Sequence, residues 1–125
     1  MAFANVLAEE IWTAKYRYRA PEGGDQDYDA TIMRVATAIA EAEAPELRGY
    51  WRDRFADALG GFKFIPAGRI LAGAGTDRSV TLFNCFVMGT VPDSLDGIFA
   101  HLKEAAVTMQ QGGGWQASAP RHRAR

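Results

Sequence analysis

Hydrophobic residues recur at spacings of three and four in the first half of the chain, which predicts three amphipathic helices. The first covers about residues 4–18, the second follows an Asp27 or Asp29 cap, and the third ends at Gly60. Their apolar stripes are Leu7, Ile11 and either Ala14 or Tyr18, then Ile32, Val35, Ala36 and Ile39, then Leu47, Trp51, Phe55 and Leu59. Each stripe needs a surface to pack against, so we expect a helical region over residues 1–61.

The pattern changes after Phe62, where a Gly- and Ala-rich stretch at residues 67–75 would let the backbone approach a ligand or another backbone closely. Residues 80–88 then predict a strand that is apolar on both alternating faces. This pattern is typical of a strand buried on both sides in an α/β sheet or barrel. A last helix follows an Asp93 or Ser94 cap and ends before three glycines. Its apolar stripe is Leu95, Ile98, Phe99, Leu102, Ala106 and Met109.

Composition excludes several classes of protein. The chain has 125 residues, 48% hydrophobic and 23% charged, which is typical of one small folded domain. No apolar run approaches the roughly 20 residues that span a bilayer, so no membrane association is expected. The net charge of −1 gives no electrostatic footprint for nucleic acid. One cysteine and no export signal predict a cytoplasmic location.

The charge is unevenly distributed. Residues 121–125 contain three arginines and one histidine. Eleven basic and fifteen acidic residues remain in the rest of the chain, which therefore carries a net charge of −4. The end of the chain thus differs in composition from everything before it.

Cys85 is the single cysteine, so it cannot form an internal disulfide. It is either a small packing residue or a redox group whose partner lies elsewhere. A Cys–His hydrolase is not expected, because neither His101 nor His122 pairs recognisably with it. A zinc site would need more Cys or His than the chain offers, so no metal ligands are predicted.

Two further motifs each carry two interpretations. Residues 112–114 are three glycines, which either present backbone N–H groups to a phosphate or end the helix. Asp93, Ser94 and Leu95 either cap the last helix or face a ligand, since a helix N-terminus offers free N–H groups.

Five segments in order resemble the large catalytic chain of ribonucleotide reductase, and most closely its adenosylcobalamin-dependent class. They are FIPAGRI at residues 64–70, AGAGTDR at 72–78, TLFNCFVMG at 81–89, DSLDGIF at 93–99, and residues 102–114, which begin LKEAA and end QQGGG. Residues 11–18 are similar to the family's N-terminal helical region, so the resemblance covers about residues 9–114. Both the order and the spacing of the segments fit.

The resemblance implies an α/β fold in which a helical domain precedes a ten-stranded α/β barrel. Residues 1–61 would be the helical region, and residues 62–114 would begin the barrel with its first strand and helix. Cys85 would be the first-strand cysteine of the reducing pair, delivering electrons to the ribose 2′ position and forming a disulfide with a second cysteine further along. The residues implied at the substrate are Arg69, Asn84, Cys85 and Gly114. The residues implied at the deoxynucleoside triphosphate effector site are Asp93, Ser94 and Leu95.

The resemblance also implies partners: a ribonucleotide substrate, a thioredoxin-like reductant, and a second copy in a homodimer, in which residues 98–109 would pack. Adenosylcobalamin would be the cofactor, with its site beyond residue 125. The family pattern stops at residue 115, and residues 115–125 look like out-of-frame translation. We therefore expect a truncated fragment with open strand edges and an uncovered apolar surface, inactive and poorly stable alone.

Two alternatives remain open at this point. The chain could belong to a di-iron-dependent large chain that needs a separate radical-generating subunit. It could instead be a non-catalytic helical interaction module, in which Cys85 serves only for packing.

Overall fold

Five α-helices and two β-strands make up residues 3–118, the part of the chain that this computed structural model describes. The elements are α1 Val6–Lys15, α2 Tyr28–Ala40, α3 Arg48–Leu59, a 3-10 turn Gly60–Phe62, α4 Gly68–Gly73, β1 Cys85–Thr90, α5 Leu95–Gln110 and β2 Gly114–Ser118. The chain divides into two compact units between Arg78 and Ser79. The first unit is helical, and the second contains both strands and α5.

Side chains that accept backbone N–H groups set the starts of the first two helices. Asn5 Oδ1 accepts from the Ala8 amide at 2.9 Å, and Asp27 Oδ1 accepts from the Ala30 amide at 2.8 Å. Asp27 is therefore the cap of α2, one of the two candidates from the sequence. No side chain caps α3, which begins at Arg48. The three predicted helices are confirmed, although α1 is shorter than expected at both ends.

The core of the first unit forms around α2. Its buried cluster is Trp12, Tyr28, Ile32, Val35, Ala36, Leu59, Leu71 and Ala74. Three of the four residues in the predicted α2 stripe are therefore buried, and only Ile39 stays partly exposed. The α1 stripe was wrong: Leu7 is 63% and Ile11 is 41% exposed, while Trp12 is buried. The large Trp12 indole turns α1 towards α2, where its Nε1 donates to Thr31 Oγ1 at 3.0 Å.

The Gly- and Ala-rich stretch forms α4 and a tight turn. Gly75 has a φ of +70°, and a Cβ built on it would lie 2.9 Å from Arg34 Cγ and 3.0 Å from the Arg34 carbonyl. A residue with a side chain would be strained there and would collide with α2. The predicted close approach of backbone to backbone is thus confirmed at this turn.

The second unit is a β1–α5–β2 arrangement in which the two strands are parallel. Cys85 pairs with Gly114 and Phe86 with Trp115, and the register shifts between Val87 and Thr90. The helix between the strands supplies the long connection that parallel strands require. β2 includes residues 115–118, while the rest of the compositionally distinct segment, residues 119–125, lies outside the described residues.

The predicted strand over residues 80–88 needs correction. The observed strand starts at Cys85, the first residue that pairs with β2. Burial on both faces was also wrong: Val87 on one face is 86% exposed, and Leu82 on the other is 42% exposed. Nothing in residues 3–118 adds a third strand to this sheet. The expectation of an uncovered apolar surface is confirmed, while the ten-stranded barrel stays a prediction.

None of the helices in residues 3–118 is both long enough and apolar enough to cross a membrane.

Candidate functional site

Three of the four residues predicted at the substrate meet where the two parallel strands begin. Cys85 is the first residue of β1, and its free thiol is exposed. Gly114 is the first residue of β2 and lies directly opposite it. The Gly114 amide donates to the Asn84 carbonyl at 2.8 Å. A Cβ built on Gly114 would lie 3.3 Å from Cys85 Sγ, so glycine allows the thiol to lie against the neighbouring backbone.

The three glycines that follow α5 have different roles. Gly112 takes a φ of +84°, which turns the chain out of the helix. Gly113 has no room for a side chain, because a Cβ there would lie 2.7 Å from the Phe86 ring and 2.9 Å from Thr108 Cγ2. Gly114 faces Cys85. Local geometry therefore requires glycine at 112 and 113 and leaves only tight space for a side chain at 114.

The structure also decides between the two interpretations of these glycines. All three amides already donate within the chain: Gly112 to the Met109 carbonyl, Gly113 to that of Thr108, and Gly114 to that of Asn84. A phosphate would find no free N–H group here, so the glycines end the helix and do not form an anion site.

Cys85 is exposed, which does not fit the packing interpretation of this residue. Successive side chains of a strand point to opposite faces, so Cys85 and Phe86 lie on different sides of the sheet. The Phe86 ring faces Gly113 and Thr108 of the α5 connection, and the thiol faces away from them. An accessible thiol on the open face of a two-stranded sheet can exchange with an external disulfide or donate hydrogen to a ligand.

Arg69, the fourth residue predicted at the substrate, lies on α4 in the first unit. Its Nε atom is buried and has no hydrogen-bond partner in the described part of the chain. A buried guanidinium nitrogen without a partner is uncommon in a folded protein. Because Arg69 belongs to the other unit, its participation in the Cys85 site stays a prediction.

A buried ion pair holds α4 in place. Arg34 forms a bidentate ion pair with Asp25: Nε donates to Oδ1 at 3.0 Å, and Nη2 donates to Oδ2 at 2.8 Å. The same guanidinium donates to the carbonyls of Leu71, at 2.9 Å, and of Ala74. Both carbonyls are near the C-terminus of α4, where a cation is favoured. Arg34 therefore connects α2 to the helix that carries Arg69.

Asp25 is almost completely buried, with 4% of its surface exposed. Burial alone raises the pKa of its carboxyl. Hydrogen bonds from Arg34, the Tyr18 amide and the Thr31 hydroxyl, together with the Arg34 charge, outweigh burial and hold the pKa below its ordinary value. The Thr31 hydroxyl donates to Oδ2 at 2.7 Å and accepts from Trp12. The ionised carboxylate is thus the centre of a network that joins α1, α2 and α4.

The three residues predicted at the effector site lie together at the start of α5. Ser94 is its N-cap, and its Oγ accepts from the Gly97 amide at 3.1 Å. Asp93 is exposed, and Leu95 is 75% exposed. The capping interpretation is confirmed by this bond, while effector binding stays a prediction.

The sequence did not point to several residues that shape these sites. Asp25, Arg34 and Thr31 form the buried network, and Phe86 packs on Gly113. His101 is buried on α5, with its ring 6.0 Å from that of Trp115. Periodicity gave no signal for Arg34, which lies two residues after Ile32 and therefore away from the apolar face of α2. Within residues 3–118, no three His, Cys, Asp or Glu side chains are grouped to hold a metal ion.

Comparison with known proteins identifies the class. The family model for the all-alpha domain of ribonucleotide reductase matches residues 2–79, more than half of the chain. The chain therefore belongs to the ribonucleotide reductase family, as the sequence motifs led us to expect.

Particular relatives sharpen this assignment. The chain is 34% identical over 114 residues to a vitamin B12-dependent ribonucleoside-diphosphate reductase found in two strains of Mycobacterium tuberculosis, a match that covers 91% of the chain and 16% of the relative. It is 30% identical over 108 residues to a ribonucleoside-diphosphate reductase subunit alpha of Synechocystis sp., covering 86% of the chain and 13% of the relative. The chain thus spans less than a fifth of the length of these relatives. No solved structure matches it significantly.

Proposed function

We propose that this chain is an N-terminal part of a ribonucleotide reductase catalytic chain that uses adenosylcobalamin to make deoxyribonucleotides. The observation that carries the proposal is the meeting of Cys85, Asn84 and Gly114 at the start of two parallel strands. The M. tuberculosis relative, named as vitamin B12-dependent, supports the cofactor class. The remaining strands of a ten-stranded barrel would extend this sheet and cover its exposed apolar residues, Phe83 and Val87 among them.

In this proposal Cys85 supplies one of two thiols. Its S–H and the S–H of a second cysteine give up two electrons and two protons as the sulfurs join in a disulfide. The ribose C2′–OH bond breaks, the oxygen leaves as water, and C2′ gains a hydrogen. A thioredoxin-like dithiol then reduces the disulfide by exchange, which requires an accessible sulfur such as the exposed thiol of Cys85.

The described residues do not fit adenosylcobalamin itself. The groove beside Met88 and α5, of about 480 Å³, is open and shallow rather than an enclosed corrinoid cavity. No step of the chemistry is therefore assigned to the cofactor within this chain. On this proposal the cofactor binds to other parts of the enzyme, and residues 3–118 contribute substrate contacts and one thiol.

The partners follow from the same proposal. A ribonucleotide would lie beside Cys85 and Asn84. Arg69 belongs to the other unit, and its proposed contact with the substrate rests on the resemblance alone. A deoxynucleoside triphosphate effector would bind near Asp93, Ser94 and Leu95, and a second copy would pack on α5. The exposed face of α5, which includes Phe99 at 62% and Leu102 at 55% exposure, is compatible with that packing.

The alternative of a large chain with a separate radical-generating subunit has one observation in its favour. The Synechocystis relative is named as a subunit. The higher identity to the vitamin B12-dependent relative favours the cobalamin route instead.

A chimera tests the proposal. Residues 1–114 of this chain would replace the matching segment of the M. tuberculosis relative, and reduction of ribonucleoside diphosphates would be measured with adenosylcobalamin and a dithiol. We expect turnover in the chimera, none in the 125-residue chain alone, and loss of dithiol-dependent turnover on Cys85→Ser. The matched control, Val87→Ala on the same strand, should stay active. A Cys85→Ser chimera as active as its parent would refute the assignment of Cys85.

The unusual segment from residue 115 is tested at the DNA level. We propose that it is out of frame, although residues 115–118 form most of β2. Sequencing the gene from the Met109 codon onward, in three frames, should reveal a second frame that continues the family pattern. The absence of such a frame would mean that the segment is genuine.

A further inference from the structure

We propose that Phe86 is a positioning residue that fixes the pairing of β1 with β2 and thereby aligns the Cys85 thiol with Gly114. This inference rests on the proposed function for its biological meaning, but its geometry stands on the packing of the second unit alone.

The first step is the close contact between the Phe86 ring and Gly113. A Cβ built on Gly113 would lie 2.7 Å from Cε2 and 3.0 Å from Cδ2 of that ring. Contacts this short mean that the ring packs directly on the Gly113 backbone and occupies the space of the missing side chain. Phe83 lies on another side of the ring, with the two centroids 6.2 Å apart.

The contact between Phe86 and Gly113 lies directly beside the pair formed by Cys85 and Gly114. Cys85 pairs with Gly114, and the contact joins the next residue of β1 to the preceding residue of the glycine run. A slip of one residue along either strand would move every side chain to the opposite face. Phe86 would then leave the face on which Gly113 and Thr108 lie, and its contact with Gly113 would be lost. The aromatic contact therefore favours the observed register.

Few other interactions hold β1 and β2 together. The pairing spans four residue pairs and contains an irregularity between Val87 and Thr90. Such a short ladder has little tendency to keep its register. The Gly114 amide bond to the Asn84 carbonyl lies at the end of this ladder, so its persistence depends on packing nearby. Phe86 supplies that packing on the face opposite the thiol.

The test is a suppressor experiment on the 125-residue chain. Gly113→Ala should push the ring away, break the alignment, and accelerate hydrogen exchange of the Gly114 amide by about tenfold or more. It should also change the rate at which Cys85 reacts with an aromatic disulfide reagent. Adding Phe86→Ala should restore most of the protection, because the colliding ring is gone. Thr108→Ser, which removes the other nearby methyl group, should restore much less.

Two controls separate this mechanism from general destabilisation. Gly60→Ala adds a methyl group where no atom lies within 4 Å and should leave both measurements unchanged. Gly114→Ala meets Cys85 Sγ and the Asn84 carbonyl instead of the ring, so Phe86→Ala should not rescue it. Failure of Phe86→Ala to rescue Gly113→Ala, or equal rescue of Gly114→Ala, would overturn the proposal.

A measurement on the unmodified chain covers the case in which the variants do not fold. Nuclear Overhauser effects should connect the Phe86 ring protons with the Gly113 α-protons, and their absence would overturn the proposal directly. None of these experiments uses nucleotide or turnover. An inactive chimera would therefore count against the proposed function and leave the positioning role of Phe86 untouched.

Discussion

The two units bury their apolar residues to very different extents. Every buried hydrophobic side chain in residues 3–118 except Ala105 belongs to the first unit. The second unit exposes most of its large apolar residues, including Val87 and Phe83 on the strand segment and Phe99 on α5. α2 and α5 are both clearly amphipathic, so the difference between them arises from the number of elements that surround each one. Three helices can cover α2, whereas one helix cannot cover a sheet.

A helical period of apolar residues is therefore not enough to bury them, because other elements must also pack against that face. The α5 stripe has the correct helical period, yet Leu95, Ile98 and Leu102 remain exposed. In the first unit the buried polar network adds directional contacts to the apolar core. In the second unit the backbone pairing at Cys85 and Gly114 has little packing around it.

Removing Arg34 should break the first unit. Arg34→Ala leaves the Asp25 carboxylate buried without its cation and removes two bonds to α4, which should cost about 3–5 kcal/mol of unfolding free energy. Urea denaturation followed by far-ultraviolet circular dichroism would measure this loss. Arg52→Ala, which removes an exposed partner of Asp53, is the matched control and should cost at most about 1 kcal/mol. Equal effects of the two substitutions would contradict the role given to the buried pair.

The same substitution in each unit compares the two cores directly. Val35 is completely buried and Val87 is 86% exposed. Val35→Ala should therefore lower the unfolding free energy by about 2–3 kcal/mol, whereas Val87→Ala should change it by less than about 0.5 kcal/mol. Denaturant midpoints of the two variants provide the measurement. A large effect of Val87→Ala would mean that its surface is covered in solution.

Acid should destabilise the first unit through Asp25. Its pKa is lower in the folded chain than the ordinary value of about 3.9 expected on unfolding, so the unfolded state binds the proton more readily. The stabilising contribution is therefore complete above about pH 4 and declines as the pH falls through the folded pKa. Unfolding curves at several pH values should show this decline. Asp25→Asn should have a flatter profile over the same range, and an unchanged profile would exclude Asp25 as its source.

The N-cap of α5 should contribute least. Ser94→Ala removes the bond from the Gly97 amide and should cost about 1 kcal/mol in the stability of that helix. Amide hydrogen exchange in the first turn of α5 would detect it. Asp27→Ala at the α2 cap is the matching substitution in the first unit. Because α2 is packed among other helices, we expect a smaller increase in amide hydrogen exchange in its first turn than in that of α5. A larger increase at α2 than at α5 would reverse the comparison between the units.

Sequence periodicity predicted the helices well because helix formation depends on neighbours three and four residues apart. It predicted Ile32, Val35 and Ala36 as core residues because α2 is surrounded on that face. It misjudged α1, where the size of Trp12 and its bond to Thr31 matter more than the Leu7 and Ile11 stripe.

Structural features that depend on residues far apart in the chain could not be predicted from periodicity. The start of β1 at Cys85 depends on which residues β2 reaches, and no pattern within residues 80–88 encodes that limit. The pairing of Asp25 with Arg34 likewise appears only after the chain folds back. The meeting of Asn84, Cys85 and Gly114 was anticipated through family resemblance, and periodicity alone gave no reason to join residues about 30 positions apart.

The hydrogen bonds of Arg34 to Asp25 and to α4 imply an order in which these contacts form during folding. Asp25 lies nine residues before Arg34, so the ion pair needs only a short loop to close. The carbonyls of Leu71 and Ala74 lie 37 and 40 residues after Arg34, and closing those longer loops costs more chain entropy. On a ribosome, Arg34 would emerge before α4 does, so its pairing with Asp25 can form first. The guanidinium, already paired with Asp25, then binds the carbonyls of α4 when that helix forms. On this order α4, which carries Arg69, is the last helix of the first unit to pack.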